Sequence, residues 1–544
     1  TLDAEASFFV HLRLSAILGA LILTGMPAVP RQISIIPQPV TVTGMEGEFI
    51  LKPDTVVVTD KAAATVARRF TADIAAATGY KLKIAEAGQA RDNSIMLGID
   101  NSLGKLGAEG YRLEVTSKRV TVRAPKPAGV FYGTQSIRQL LPPAVYGKAS
   151  SGVTWSMPCV RIEDYPRFGW RGGLIDVGRH YMPKEALLRF IDVLAMHKMN
   201  SIQFHFTDDQ GWRVEVKKYP KLTEIGSRRK ETIVGDHRNS TKYDGIPHAG
   251  YYTQADLREI VAYAAERFIN VVPEIEMPGH AQAAIAAYPE LGNTGEKLEV
   301  RTTWGVNKNV FNANESTILF LQDVLKEMMA IFPSKFIHVG GDEVPKDQWK
   351  ASAEAQARMK ALGLKNEEEL QSYFIRRMDQ FLTANGRRLV GWDEILEGGL
   401  ASGATVMSWR GIKGGIAAAR AGHDVVMAPT THTYFDYYQA KTGEPLALGG
   451  FLPLDKVYEF EPIPPELTAD EGRRVLGAQG QLWTEYINNP EYLEYMAFPR
   501  MSALAEVVWT PKARKDYTAF LARMRVQEER LRARGVNFRA LDKK

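Results

Sequence analysis

A (β/α)8 barrel preceded by a smaller α+β domain is the fold class this sequence predicts, on three observations. After Trp170, eight short apolar runs alternate with helices of three or more turns. Nearly every one of those runs ends in carboxylates, imidazoles or tryptophans. Before Trp170, strand-like and helix-like stretches alternate without any such clustering. The expected division is 1–28 as a signal-peptide-like segment, 34–165 as the α+β domain and 166–544 as the barrel.

The chain opens with His11 and Arg13 ahead of an apolar run, Leu14 to Leu23, and then Thr24-Gly-Met-Pro-Ala28. That run is short for a membrane span and has the shape of a secretory leader. Asp3 and Glu5 are atypical there, and a buried or disordered tail is the alternative. The expectation is export, to the periplasm or the medium, with no stable span once the leader is removed.

Ile35-Ile-Pro-Gln-Pro-Val40 starts the α+β domain. Thr55–Thr59 and Val120–Arg123 read as strands from their β-branched residues. Lys61–Ala77 and Gly129–Leu141 read as helices from their apolar spacing. Glu163-Asp-Tyr-Pro-Arg167 reads as a linker, because proline disfavours helix before it.

The barrel strands are expected at Gly173–Val177, Ser201–Phe206, Asn270–Ile275, Phe336–Val339, Arg388–Gly391, Thr405–Ser408, Asp424–Ala428 and Val475–Gln481. Helices are expected at Lys184–Lys198, Gln254–Phe268, Ser316–Phe332, Glu367–Ala384, Gly414–Ala421 and Glu491–Val508. An open doubly wound sheet is the competing architecture. The first strand is followed by no glycine-rich dinucleotide fingerprint, which counts against it.

Composition narrows the function. Net charge is +5, spread along 544 residues without a long basic block, so nucleic-acid binding is not expected. The single cysteine, Cys159, excludes an intramolecular disulfide and a cysteine metal cluster within one chain.

A barrel of this kind places its site at the C-terminal ends of its strands. There the chain carries Asp176 and Arg179-His180; His205, Asp208-Asp209 and Trp212; Glu274, Glu276 and His280; His338 and Asp342-Glu343. Beyond them come Trp392-Asp-Glu394, Trp409-Arg410, Tyr434-Phe-Asp436 and Trp483-Thr-Glu485. Carboxylates and an arginine bind hydroxyls, and tryptophans offer flat faces to a sugar ring. A lone strand-end Trp more often packs on a loop, and a lone Asp more often caps a helix. Repetition around the whole rim favours carbohydrate chemistry.

Asp342–Glu343 follows Gly340-Gly341, which permits backbone shapes closed to other residues. An ordinary retaining glycosidase holds two carboxyls about 5 Å apart across the sugar. Sequence neighbours are poorly placed for that, and fit the substrate-assisted exception better. Capping of a helix near Pro345 is the other reading, and the residues alone leave both open. A metal site drawing on His180, His205, His280 and His338 is a further alternative. It lacks a His-x-His on the first strand, and Arg179 is a poor neighbour for a cation.

Four stretches resemble one known family: Gly-Leu-Ile-Asp-Val-Gly-Arg179-His180, His-Phe-Thr-Asp208-Asp209-Gln-Gly-Trp, Pro-Glu-Ile-Glu-Met-Pro-Gly-His280 and His-Val-Gly-Gly-Asp342-Glu343. Together, in this order, they resemble glycoside hydrolase family 20, the β-N-acetylhexosaminidases. The Ile-Pro-Gln-Pro opening and Ala-Glu506-Val-Val-Trp509 are similar to that family's first domain and last barrel helix. The resemblance implies removal of terminal β-linked N-acetylglucosamine or N-acetylgalactosamine through an oxazolinium intermediate, without cofactor or metal.

By position it implies Glu343 as acid/base and Asp342 as the group steadying the 2-acetamido. It implies Tyr434 as donor to the acetamido oxygen, and Asp208 with His280 as a relay to Glu343. Arg179, Asp436 and Glu485 become ligands of sugar hydroxyls, and Trp392, Trp409 and Trp483 the pocket walls. The expected partner is a glycan or amino-sugar oligosaccharide, with the oligomeric state left open. The long polar segment Gly226–Gly250 is either a specificity loop or a solvated excursion. A lacto-N-biosidase-like enzyme releasing disaccharides, and a catalytically silent sugar-binding barrel, are the competing functions.

Overall fold

The computed structural model describes residues 33–543 except 87, 89, 90 and 150. The leader-like segment 1–28 lies outside the described residues. Ile33 onward forms one compact unit, and no described helix is long and apolar enough to cross a membrane.

Eight parallel strands close into a barrel: Trp170–Asp176, Ser201–His205, Asn270–Glu274, Phe336–His338, Arg388–Trp392, Thr405–Ser408, Val425–Met427 and Val475–Leu482. The last pairs with the first, Leu482 beside Ile175, which completes the ring. Strands covered on both faces become continuous apolar runs, the signal by which the sequence predicts them. Trp170, Leu174, Val272, Val390, Met407 and Val426 fill the barrel interior, capped by Trp392, Tyr434 and Trp483.

Helices between the strands begin where side chains satisfy the first free N–H groups. Thr253 and Asp256 form a reciprocal capping box on Gln254–Ala265. Asn366 accepts from the Glu369 amide to start Glu367–Ala384. The expected single helix Glu491–Val508 is two, Pro490–Ala497 and Arg500–Trp509. Pro499 between them has no N–H to continue the ladder and a ring that clashes with the preceding turn.

The preceding domain is a seven-stranded mixed sheet in the order Thr41–Ile50, Ser156–Asp164, Tyr111–Val115, Arg119–Ala124, Ser94–Ile99, Val56–Thr59, Lys83–Glu86. The expected linker starts later than the sequence reading placed it. Glu163 and Asp164 are paired strand residues, opposite Thr41, Arg112 and Tyr111. Helix Pro127–Leu140 is buried along most of its length, with Gly133 against Val122 and Tyr111 of the sheet and Phe131 against Phe268 of the barrel. Its Gln139 reaches Met196 O at 3.1 Å.

Buried ion pairs stitch the sheet to the barrel. Arg171, fully buried, meets both oxygens of Glu109 at 2.8 Å. Lys198 meets Asp164 at 2.8 Å with neither side chain exposed.

Candidate active site

The turn after the fourth strand brings two carboxylates onto one side. Gly340 and Gly341 both have positive φ, 67° and 97°. A Cβ at Gly340 would lie 1.7 Å from Glu276 Oε2, and one at Gly341 2.7 Å from Ile395. Only glycine fits either place. Glu343 itself has φ 47°, a strained value for a residue with a side chain. The result is that His280 Nε2 lies 3.5 Å from Asp342 Oδ2 and 3.5 Å from Glu343 Oε2. The alternative in which the pair caps a helix does not hold. The next helix, Asp347–Ala351, has Lys346 at its N-cap position and no side-chain cap.

A buried row of alternating charge stands behind the pair. His280 Nδ1 is 3.3 Å from Asp208 Oδ1. Asp208 Oδ2 is 2.8 Å from His205 Nε2, and His205 Nδ1 is 2.8 Å from Glu274 Oε2. Burial opposes charge on His280, but Asp208 and Asp342 outweigh it and hold the imidazolium well above its ordinary range. Burial likewise opposes charge on His205, which Glu274 and Asp208 nevertheless raise to about 10. Asp208 is held low against its own burial by Arg179 and His280. Glu276 belongs to this layer without a hydrogen bond, its Oε1 3.6 Å from His205 Nδ1. Burial, then Asp342 and Glu274, push it well above the carboxylate range.

The rim opposite supplies walls and unpaired polar atoms. Trp392 and Trp483 lie 5.6 Å apart, centroid to centroid. Tyr434 lies 6.4 Å from Trp483 and stacks on Trp409 at 6.2 Å. Trp409 is fixed by Glu394, which accepts from its Nε1 at 2.9 Å, and by Asp393, which accepts from its backbone. Burial and then Asp342 raise Glu394 to about 8. Arg179 donates to Asp208 at 2.8 Å and covers the Trp483 ring at 5.1 Å.

Asp342 Oδ1, both oxygens of Asp436, Glu485 Oε2 and Trp392 Nε1 are buried without a hydrogen-bond partner. Burial and the neighbouring Glu485 push Asp436 well above the carboxylate range. Native proteins leave few such atoms unpaired, so a cluster of them marks where a polar ligand completes the set. Beyond Glu343 opens a cavity of about 410 Å³, lined in part by Val306, Trp409, Arg410 and Glu397.

All eleven residues singled out in the sequence meet here. Asp176, Glu274, Asp393 and Glu394 belong to the same site without a role assigned from the sequence, and His205, a candidate metal ligand there, belongs to it as a member of the charged row. Asp176 accepts from the amides of Gly178, Arg179 and Thr484, so it shapes the loop that carries Arg179. Their signal was present, since each stands at a strand end among the other polar residues. Among the described residues, three His/carboxylate groupings bring possible metal-ligand atoms within 4.8 Å of one another. In the first, both His205 nitrogens are already engaged by carboxylates. His180, also considered as a ligand, places Nδ1 2.5 Å from the Thr484 carbonyl.

Comparison with known proteins gives the same address. "Glycosyl hydrolase family 20, catalytic domain" matches residues 168–512, and "Glycosyl hydrolase family 20, domain 2" matches 32–165. A beta-hexosaminidase of Porphyromonas gingivalis is 44% identical over 94% of this chain, which spans 65% of that relative's length. One of Vibrio furnissii is 36% identical over 87% of this chain and 76% of its own. A Vibrio harveyi GH20 exo beta-N-acetylglucosaminidase solved with N-acetylglucosamine superposes with TM-score 0.83 and 32% identity, over 95% of this chain and 80% of that one. A mutant Streptomyces plicatus beta-hexosaminidase with the product GlcNAc gives 0.82 and 31%, over 95% and 98%.

Proposed function

The chain belongs to glycosyl hydrolase family 20, a family of glycoside hydrolases, and from that premise we propose that it is an exo-acting, retaining β-N-acetylhexosaminidase that uses the substrate's own acetamido group as nucleophile. One observation carries the reading. Asp342 and Glu343 share one imidazole nitrogen, His280 Nε2, at 3.5 Å each. Two carboxyls gathered on one side cannot stand on opposite faces of a glycosidic bond, as the two-carboxylate mechanism requires.

They suit two different atoms of one substrate. Glu343, beside the open cavity, protonates the glycosidic oxygen as it leaves. Asp342 Oδ1, buried and unpaired, accepts from the acetamido N–H and faces the positive charge that grows there. The acetamido oxygen, oriented by Tyr434, attacks the anomeric carbon within the same molecule. It forms the oxazolinium ring as the C–O bond breaks. Water, deprotonated by Glu343, then opens the ring from the side the leaving group vacated. Two inversions give retention.

The row Glu274–His205–Asp208–His280 keeps a positive imidazolium against both carboxylates throughout. Trp392, Trp409 and Trp483 enclose the sugar, and Arg179, Asp436 and Glu485 hold its hydroxyls. That unpaired acceptors line the pocket supports exo action on a terminal sugar with free hydroxyls. Export is part of the same proposal, supported by the apolar run Leu14 to Leu23.

The test compares 4-nitrophenyl β-glycosides of N-acetylglucosamine, N-acetylgalactosamine and glucose, with Glu343→Gln alongside. Hydrolysis confined to the acetamido sugars and reduced roughly 10²–10⁴-fold in the variant is expected. Equal hydrolysis of the glucoside removes the acetamido from the mechanism. Activity on none of the three points instead to disaccharide release or to sugar binding alone.

A further inference from the structure

Where the N-terminal domain meets the barrel, four arginines line a small cavity that is partly open to solvent. Arg69 and Arg138 belong to helices Ala64–Thr78 and Pro127–Leu140. Arg267 and Arg534 come from the barrel side, the latter ending helix Tyr517–Arg534. Two lining carboxylates oppose them. Asp73 meets Arg69 at 3.3 Å and Arg138 at 3.2 Å. Asp192 meets Arg267 at 2.6 Å, Arg69 at 3.5 Å, and Arg534. Glu266 reaches Arg69 and Arg267 only at 3.9 and 4.0 Å, from a side chain 58% exposed. The local charge is therefore positive.

The buried polar atoms left over are all able to donate. Arg267 Nη2, Arg138 Nε and the Tyr146 hydroxyl have no hydrogen-bond partner, and all three residues line the cavity. The Arg267 side chain is 2% exposed and lies on the Tyr263 ring at 3.3 Å, while Arg138 lies over Tyr146 at 4.6 Å. Neither guanidinium is free to swing out to water. Buried charged donors without acceptors are costly. The cavity measures about 20 Å³, room for one water-sized species. Water would bring two protons into a ring of donors whose carboxylates are already taken. A monoatomic anion brings none.

We infer that this cavity binds a single halide, chloride in ordinary salt, and that the ion ties the N-terminal domain to the barrel. Sulfate is too large for the space. The full chain tests it in two ways. Crystals grown in sodium bromide are examined for anomalous scattering at the bromine edge. Thermal unfolding is followed in chloride, bromide, sulfate and gluconate at equal ionic strength.

The expected result is a bromide peak within hydrogen-bond reach of Arg138 and Arg267. Unfolding midpoints should be roughly 1–3 °C higher in chloride and bromide than in gluconate or sulfate. Arg267→Lys, which keeps the charge and removes the free Nη2, should abolish that difference, and Tyr146→Phe should reduce it. If Arg267→Lys does not fold, Tyr146→Phe carries the comparison. No peak at the cavity overturns the proposal. So does a peak with identical midpoints in all four salts, which would mean an adventitious ion only. Neither readout depends on hydrolysis.

Discussion

Asp164 and Asp436 are both buried aspartates, one at the seam between the two domains and the other at the barrel's rim. Asp164 accepts from Lys198 at 2.8 Å, Tyr111 at 2.7 Å, Trp509 at 2.8 Å and the Val40 amide at 3.1 Å. Asp436 accepts from nothing on either oxygen. The same side chain is saturated in one region and left open in the other. At the seam, polarity is balanced by partners that fix one domain against the other. At the rim, acceptors stand without partners, and we propose that the sugar's hydroxyls and N–H supply them. The arginine cavity is an exception at the seam, a place where donors rather than acceptors are left over.

The contrast breaks if the two regions respond alike to isosteric change. The largest effect on stability is expected from Asp164→Asn, which leaves Lys198 with an uncompensated buried charge. It should cost about 3–5 kcal/mol in chemical unfolding while the folded fraction keeps its specific activity. Asp342→Asn should do the reverse. It should lower kcat/KM by roughly 10²–10³-fold with little change in the unfolding midpoint.

Asp436→Asn should lower kcat/KM about 10–100-fold through lost hydroxyl contacts. Its stability should move in the opposite sense to that of Asp164→Asn. Burial and Glu485 raise Asp436 above its ordinary pKa, so the charged form opposes folding above the unfolded value near 4. The variant should therefore be as stable as the parent at neutral pH, or more so, with the gain growing as pH rises.

The smallest effect sharpens the account of the buried row. Burial lowers His205, but Glu274 and Asp208 raise it to about 10, above the 6.5 of a free imidazole. A raised histidine contributes stability in full below pH 6.5 and loses it as pH climbs toward 10. His205→Gln should thus reduce the unfolding midpoint most near pH 6 and least near pH 10. A penalty that does not vary with pH would mean a neutral His205 and no alternation of charge.

Much of this was legible in the sequence. Parallel barrel strands are covered on both faces, so the apolar stretches within Arg388–Trp392 and Thr405–Ser408 announce themselves as runs. The chemistry follows because the polar residues sit directly after those runs. Less legible was which way each points. Glu274 and Glu276 are two residues apart on one stretch, yet His205 Nδ1 hydrogen-bonds Glu274 at 2.8 Å and reaches Glu276 only at 3.6 Å. That difference is set by His205, on a strand 69 residues earlier in the chain. Asp164 read as linker because the proline at 166 dominated its surroundings. Its partners Lys198 and Trp509 come from distant barrel elements and leave no local trace. The break at Pro499 was written in the sequence and was outweighed by apolar periodicity on both sides of it.

The central claim is that the open atoms at the rim await an acetamido group that itself attacks the anomeric carbon. The most direct measurement is kcat/KM for 4-nitrophenyl β-glucosaminides whose N-acyl group carries none, one, two or three fluorines. Fluorine withdraws electrons from the acyl oxygen while changing the group's size little. The account predicts a stepwise fall, roughly tenfold or more across the series. A flat series would contradict it, since the acyl oxygen would then take no part in breaking the bond.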